Sequence, residues 1–189
     1  MDLYIACQDG NFEEIKRLFH EEKEIGYKFA LICENGHLEI AKWMLDNSIE
    51  NGKIKKNLNI HFDDEFLFRI ICRDGNFQLA KWLFEMSIEK KELGMINIHA
   101  EDDHAFRLAC ETNFELAKWL FEISLKNNLG KIDFRVKNDQ ALYGAKAFNK
   151  IEIMKWLFSL YTDQELKKLL RQYPLAKEEL EKRRKIKIN

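Results

Sequence analysis

The chain has 189 residues, 46% of them hydrophobic, which is enough apolar material for a buried core and excludes a wholly disordered polypeptide. Its 31 Lys and Arg nearly balance 32 Asp and Glu, so the net charge of -1 gives no drive toward nucleic acid or an anionic membrane surface. No apolar run approaches the ~18 to 20 residues of a membrane span, and the single proline, Pro174, excludes Pro-rich linkers and favours long helical segments.

The opening "MDLYIACQDG" has neither a basic n-region nor an apolar h-region, so a cytosolic or nuclear location is expected. The stretch "YIACQDGNFEEIKRLF", with Cys7 and Gly10, then states a phrase that returns along the chain as "CENGHLEIAKWML", "CRDGNFQLAKWLF", "CETNFELAKWLF" and "NKIEIMKWLF". Trp43, Trp82, Trp119 and Trp156 are separated by 39, 37 and 37 residues. A fixed period in this range, with one supersecondary unit per copy, is the mark of a solenoid in which each unit buries its apolar face against its neighbours.

Each copy reads as two helices joined by a tight turn. In "DDHAFRLACETN", Ala105, Phe106, Leu108 and Ala109 fall at helical spacing, with Asp102 or Asp103 as N-cap, and Asp64 has the same reading one copy earlier. Gly10, Gly36, Gly75, Asn113 and Asn149, three residues beyond the cysteine slot, are types that tolerate the left-handed conformation of a helix C-terminus. The fourth copy lacks the residue that follows, so its turn is expected to be one residue tighter. The second helix carries Phe77, Ala80, Leu83 and Phe84 on one stripe, and a polar extension of that outer helix and its loop leads to "NIH", "NIH" or "DFR". In the first copy Glu14 and Arg17 replace Ile40 and Trp43, so the face that meets a preceding unit is polar there, as expected of a terminal cap.

Beyond Tyr161 the repeat stops. "TDQE" fits the capping box, with Thr162 as N-cap and Glu165 as its partner, and opens one helix; after Pro174, "LAKEELEKRRKIK" reads as another. From Thr162 to Asn189 nine basic residues stand against five acidic ones, so a mildly acidic body carries a basic tail. The run "EKRRKIK" is read as a solvated helix end, with nuclear import as the alternative.

The stretch "CENGHLEIAKWML" resembles the second half of an ankyrin repeat, whose consensus runs roughly A-x-x-G-H-L-E-V-V-K-L-L-L, and the resemblance covers residues 1 to about 161. The first half departs from it: the usual T-P-L-H is replaced by "FLFR", "HAFR" and "QALY", and the period is longer than the ankyrin ~33. The dialect is similar to that of ankyrin proteins of giant DNA viruses that infect amoebae, which implies a host-cell cytoplasmic setting. A HEAT or armadillo-like solenoid fits a period of ~40 to 47 but does not explain the G-H-L-E phrase. The expected fold is therefore all-α: an ankyrin-like solenoid with units at about 1–25, 26–61, 62–99, 100–136 and 137–161, closed by capping helices and a basic tail over 162–189.

Chemistry-bearing residues have structural readings. Cys7, Cys33, Cys72 and Cys110 follow the repeat, so they lie too far apart for a shared metal or disulfide and are read as buried packing. The tryptophans are read as inter-repeat core rather than a recognition stripe. His20, His37, His61, His99 and His104 form no H-x-x-x-H, and no phosphate-loop, dinucleotide or nucleophile-elbow motif occurs among a sequence with only four serines. No enzyme, cofactor or metal is expected.

What remains is a surface for another protein. The resemblance implies binding on the concave face, formed by the finger before each first helix and by that helix's exposed end. Carried over by position, that face holds Glu34, Asn35, Asp63, Glu65, Arg73, Asp74, Glu101, Asp103 and Glu111, most of them acidic. The expectation is an acidic groove for a basic segment of a partner, with salt-sensitive association. An adaptor that delivers a host target to a ubiquitin ligase, or a self-associating structural protein, are the alternatives.

Overall fold

A computed structural model describes residues 2–19, 25–51, 53–54, 58–126 and 129–188; His20, Gly52 and parts of the linkers lie outside the described residues. The fold is all-helical, with twelve helices and one two-residue hairpin among the described residues.

The helices come in pairs: α1 (Leu3–Asp9) with α2 (Phe12–Phe19), α3 (Gly26–Glu34) with α4 (Leu38–Asp46), α5 (Phe62–Arg73) with α6 (Phe77–Glu89), α7 (Ala100–Thr112) with α8 (Phe114–Lys126), and α9 (Val136–Ala147) with α10 (Ile151–Leu160). Within each pair the two helices pack together, and α1, α3, α5, α7 and α9 also pack in series, each on the next. None of these helices is long enough to be stable alone, so tertiary packing of their apolar faces holds them.

The tight turn inside each pair follows from its sequence. Gly10, Gly36, Gly75 and Asn149 adopt positive φ, and each donates its N–H to the carbonyl of Cys7, Cys33, Cys72 or Lys146. Asn113 does not fit this expectation: its φ is -138° and ψ 119°. Its side chain accepts from the Leu116 N–H, as that of Asn76 accepts from Leu79, and its amide reaches back to the Gly75 carbonyl. The fourth pair has thus lost the left-handed residue itself and kept the N-cap.

Tryptophan joins pair to pair. Trp43 packs edge-on to Phe12 and Phe19, Trp119 against Phe77 and Phe84, and Trp156 against Phe114 and Phe121, in each case reaching back to the preceding second helix. At the corresponding site in α2, Arg17 is exposed and ion-paired to Glu14. The four cysteines are free and buried in the same core.

Linkers differ from the expected continuous outer helix. After α6 and α8 the extension is helical, to Glu89 and Lys126, but α4 stops at Asp46 and the next residues form a hairpin, β1 (Ile49–Glu50) with β2 (Lys53–Ile54). The Asn51-Gly52 step between them is the strongest two-residue hairpin sequence, and it overrides the helical pattern there. Beyond α10, α11 (Asp163–Leu169) opens on the Thr162–Glu165 capping box, and α12 (Ala176–Ile188) packs on α10 and α11. Arg135 pairs with Glu165 at 2.6 Å, which ties α11 to the linker before α9.

Candidate partner-binding face

Before α5, α7 and α9 the chain makes the same unusual turn. Asp63, Asp64 and Glu65 all have φ between 50° and 64°, and so do Glu101, Asp102 and Asp103, then Lys137, Asn138 and Asp139. Three successive non-glycine residues in the left-handed region are costly, by roughly 1–2 kcal/mol each. The compensation is visible in side chains. Asn59, Asn97 and Asp133 accept from the backbone N–H two residues on and start each turn. Arg69 then donates to the carbonyls of Asp63 and Asp64, and Arg107 to those of Glu101 and Asp102, from 2.7 to 3.1 Å. The same guanidiniums reach the next pair, Arg69 to His104 Nδ1 and Arg107 to Gln140. Burial and the two arginines lower the His104 pKa, in keeping with a neutral ring that accepts.

The third residue of each turn faces inward. Glu65 and Asp103 are each 6% exposed. Glu65 accepts from His61 and from the Asn97 N–H, Asp103 from His99 and from the Asp133 N–H, and Asp139 from the Tyr161 hydroxyl. Glu65 and Asp103 are therefore corrected from surface contacts to links between pairs. The reading of Asp64 and Asp102 as side-chain N-caps is also corrected: both lie inside the left-handed turn, exposed, and Asp102 pairs with Lys137 at 2.8 Å.

The other candidates lie at the surface in two rows. One row holds Asp63, Asp64, Glu101 and Asp102 at the turn tips, all exposed. Among the described residues, Asp63, Asp64 and Glu101 make no ion pair. The second row, at the far ends of the first helices, is largely self-neutralised: Arg73 joins Asp74 at 2.8 Å and Glu34 at 3.2 Å. Asn35 caps α3 and donates to the Leu31 carbonyl. Glu111 is half-buried against Gly144, and burial raises its pKa while Arg107 opposes the rise.

The first helices α3, α5 and α9 also carry exposed aromatic side chains that sequence reasoning passed over. Tyr27 is 65% exposed and stacks on Tyr4 with centroids 6.1 Å apart, while Phe66, under the Arg69 guanidinium, and Tyr143 are also exposed. Their spacing from the cysteine slot was the available signal. Tyr27 and Phe66 both stand six residues before it, where the ankyrin pattern directs attention to the finger instead.

The cysteines and two of the serines are engaged in the core. Burial pushes the Cys7 thiol up to about 11 and also raises those of Cys33, Cys72 and Cys110, so none is a thiolate near neutrality. Ser87 and Ser124 are buried, each donating to a helix carbonyl and accepting a backbone N–H from the next linker. Among the described residues no group of acids, histidines and cysteines is placed to hold a metal ion, and no helix is long and apolar enough to cross a membrane. No protein-family model matches the chain, and no curated protein or solved structure matches it either.

Proposed function

We propose that the chain is an ankyrin-like solenoid of about five helix pairs, closed by α11 and α12, which works by binding another protein and not by catalysis. The serial packing of the first helices and the backward-reaching tryptophans support the solenoid reading. The binding face is the one built from first helices and turn tips, with Asp63, Asp64, Glu101 and Asp102 at one edge, Glu34, Asn35, Arg73, Asp74 and Glu111 at the other, and Tyr27, Phe66 and Tyr143 on the first helices. One observation carries this: on α5 the exposed carboxylates of Asp63 and Asp64, which make no ion pair among the described residues, stand beside the exposed ring of Phe66, with Glu101 on α7, Tyr27 on α3 and Tyr143 on α9 exposed on the neighbouring first helices. That combination suits a protein segment bearing Lys or Arg next to apolar side chains, since the carboxylates steer approach and the rings supply desolvated contact area. On the viral resemblance the partner is a host protein met in the cytoplasm, or in the nucleus if the basic run of α12 directs import.

The test is affinity capture from host-type lysate at low and high salt, comparing the native chain with Asp63→Lys/Glu101→Lys. Lys137 occupies the equivalent left-handed position in the fifth pair, so lysine is compatible with that backbone. Loss of a salt-sensitive partner in the variant is expected. An identical catch from both proteins would remove this face as the site. Ubiquitin-ligase subunits in the catch would move the reading to an adaptor, and a mass that is a multiple of 22.6 kDa by light scattering would move it to self-association.

A further inference from the structure

The first residue before each left-handed turn is His61, His99 or Arg135, and the three equivalent positions are not chemically equal. His61 Nδ1 lies 2.9 and 3.0 Å from the two oxygens of Glu65, and its Nε2 lies 2.6 Å from the carbonyl oxygen of Leu93, in the linker that leads to the next pair. An ionised carboxylate and a carbonyl can only accept. A neutral imidazole has a single N–H, so both contacts can be made at once only by the doubly protonated ring. The Glu65 carboxylate also accepts the Asn97 N–H at 3.0 Å, so ring, carboxylate and linker backbone form one closed set. Gly94 makes room for it: at φ +75°, a Cβ there would sit 3.1 Å from His61 Nε2.

We propose that His61 is a proton-operated latch, which in its imidazolium form ties the linker of Leu93 to Asn97 onto the turn that opens α5 and on losing its proton releases that linker. The influences on the ring are the Glu65 carboxylate from its own element and, from the packed linker, the backbone of Leu93 and Gly94. Burial works against the charge, but the Glu65 and Leu93 contacts outweigh it and raise the His61 pKa above the ordinary 6.5. The sign follows. A raised folded-state pKa means that the latch is complete below 6.5 and is lost as pH rises through the folded-state midpoint.

The neighbouring slots provide internal contrasts. His99 Nδ1 is 2.5 Å from Asp103, but its buried Nε2 has no hydrogen-bond partner among the described residues, so no second acceptor faces that ring there. Arg135 keeps its charge throughout the accessible pH range. The two acceptors that call for a doubly protonated ring thus meet at His61, at the junction between α5 and the linker before α7.

Two measurements on the native chain test this together. Long-range 1H–15N spectra report the protonation of both His61 nitrogens across pH 5 to 9, and amide hydrogen exchange reports the protection of Asn97 relative to its intrinsic rate over the same range. The expected result is that His61 stays doubly protonated above pH 6.5, and that Asn97 protection falls through the His61 midpoint by about tenfold for each unit that the midpoint exceeds 6.5. His61→Gln, which cannot titrate, removes the step. If that variant does not fold, the agreement between midpoint shift and protection loss in the native chain still decides the matter. A neutral His61 ring at pH 6.5, or Asn97 protection that is flat across the His61 titration, would overturn the proposal.

Discussion

Glu65 accepts from His61 and from the Asn97 N–H at the same time, so replacing it with alanine leaves two donors without an acceptor at a nearly closed site. Glu65→Ala is expected to lower stability by about 2–3 kcal/mol in urea denaturation. Asp63→Ala, two residues earlier on the same turn, should cost no more than about 1 kcal/mol, because its carboxylate is exposed and only alanine's poorer fit to φ 50° is added. In the sequence these two acids look alike. "FDDE" and "AEDD" announce negative charge near a helix start, but nothing in them announces three left-handed residues, since Asp tolerates that region only modestly and Glu less. Handedness decides which carboxylate turns inward. It is imposed from outside the turn, by Arg69, by Arg107 and by the backbone of the following linker, so it could not be read from the acids alone. Asn113 was misplaced for a related reason: asparagine serves equally as a left-handed C-cap residue and as an N-cap, and only the hydrogen bond to Leu116 tells which.

At the scale of the helix pair, far more was legible. A tryptophan every 37 to 39 residues, always after the same apolar stripe, needs a recurring pocket, and the preceding second helix provides it. Trp156→Ala should cost about 3 kcal/mol, because the partly buried indole contacts Phe106, Phe114 and Phe121. Arg17→Ala at the aligned position of α2 should change stability by less than about 0.5 kcal/mol, since that side chain is largely solvated. Equilibrium denaturation followed by tryptophan fluorescence measures both. The linkers were less legible, because successive first helices are brought together across a hairpin in one linker and across extra helix in two others.

At the scale of the whole molecule, α12 is fastened by one residue of the basic run. Arg183 donates to the carbonyls of Phe158, Ser159 and Tyr161 at the end of α10, and pairs with Asp163 and Glu179. The run therefore divides into a structural arginine and exposed neighbours, Lys182, Arg184 and Lys185. Arg183→Ala is expected to lower stability by about 1–3 kcal/mol and to speed hydrogen exchange in α12. Lys185→Ala should leave both unchanged, so an import signal, if the run is one, has to be tested on the exposed residues.

The left-handed turns have a consequence for how such a chain can diversify. Their inward residue and their opening Asn or Asp, joined in the first two by Arg69 and Arg107, fix the backbone, while the two residues at the tip read Asp-Asp, Glu-Asp and Lys-Asn on the same conformation. Mounting and lettering are separate. A lineage can rewrite the charge displayed by one unit with two codon changes and no refolding, so specificity for a new partner can be acquired tip by tip while the core stays as it is.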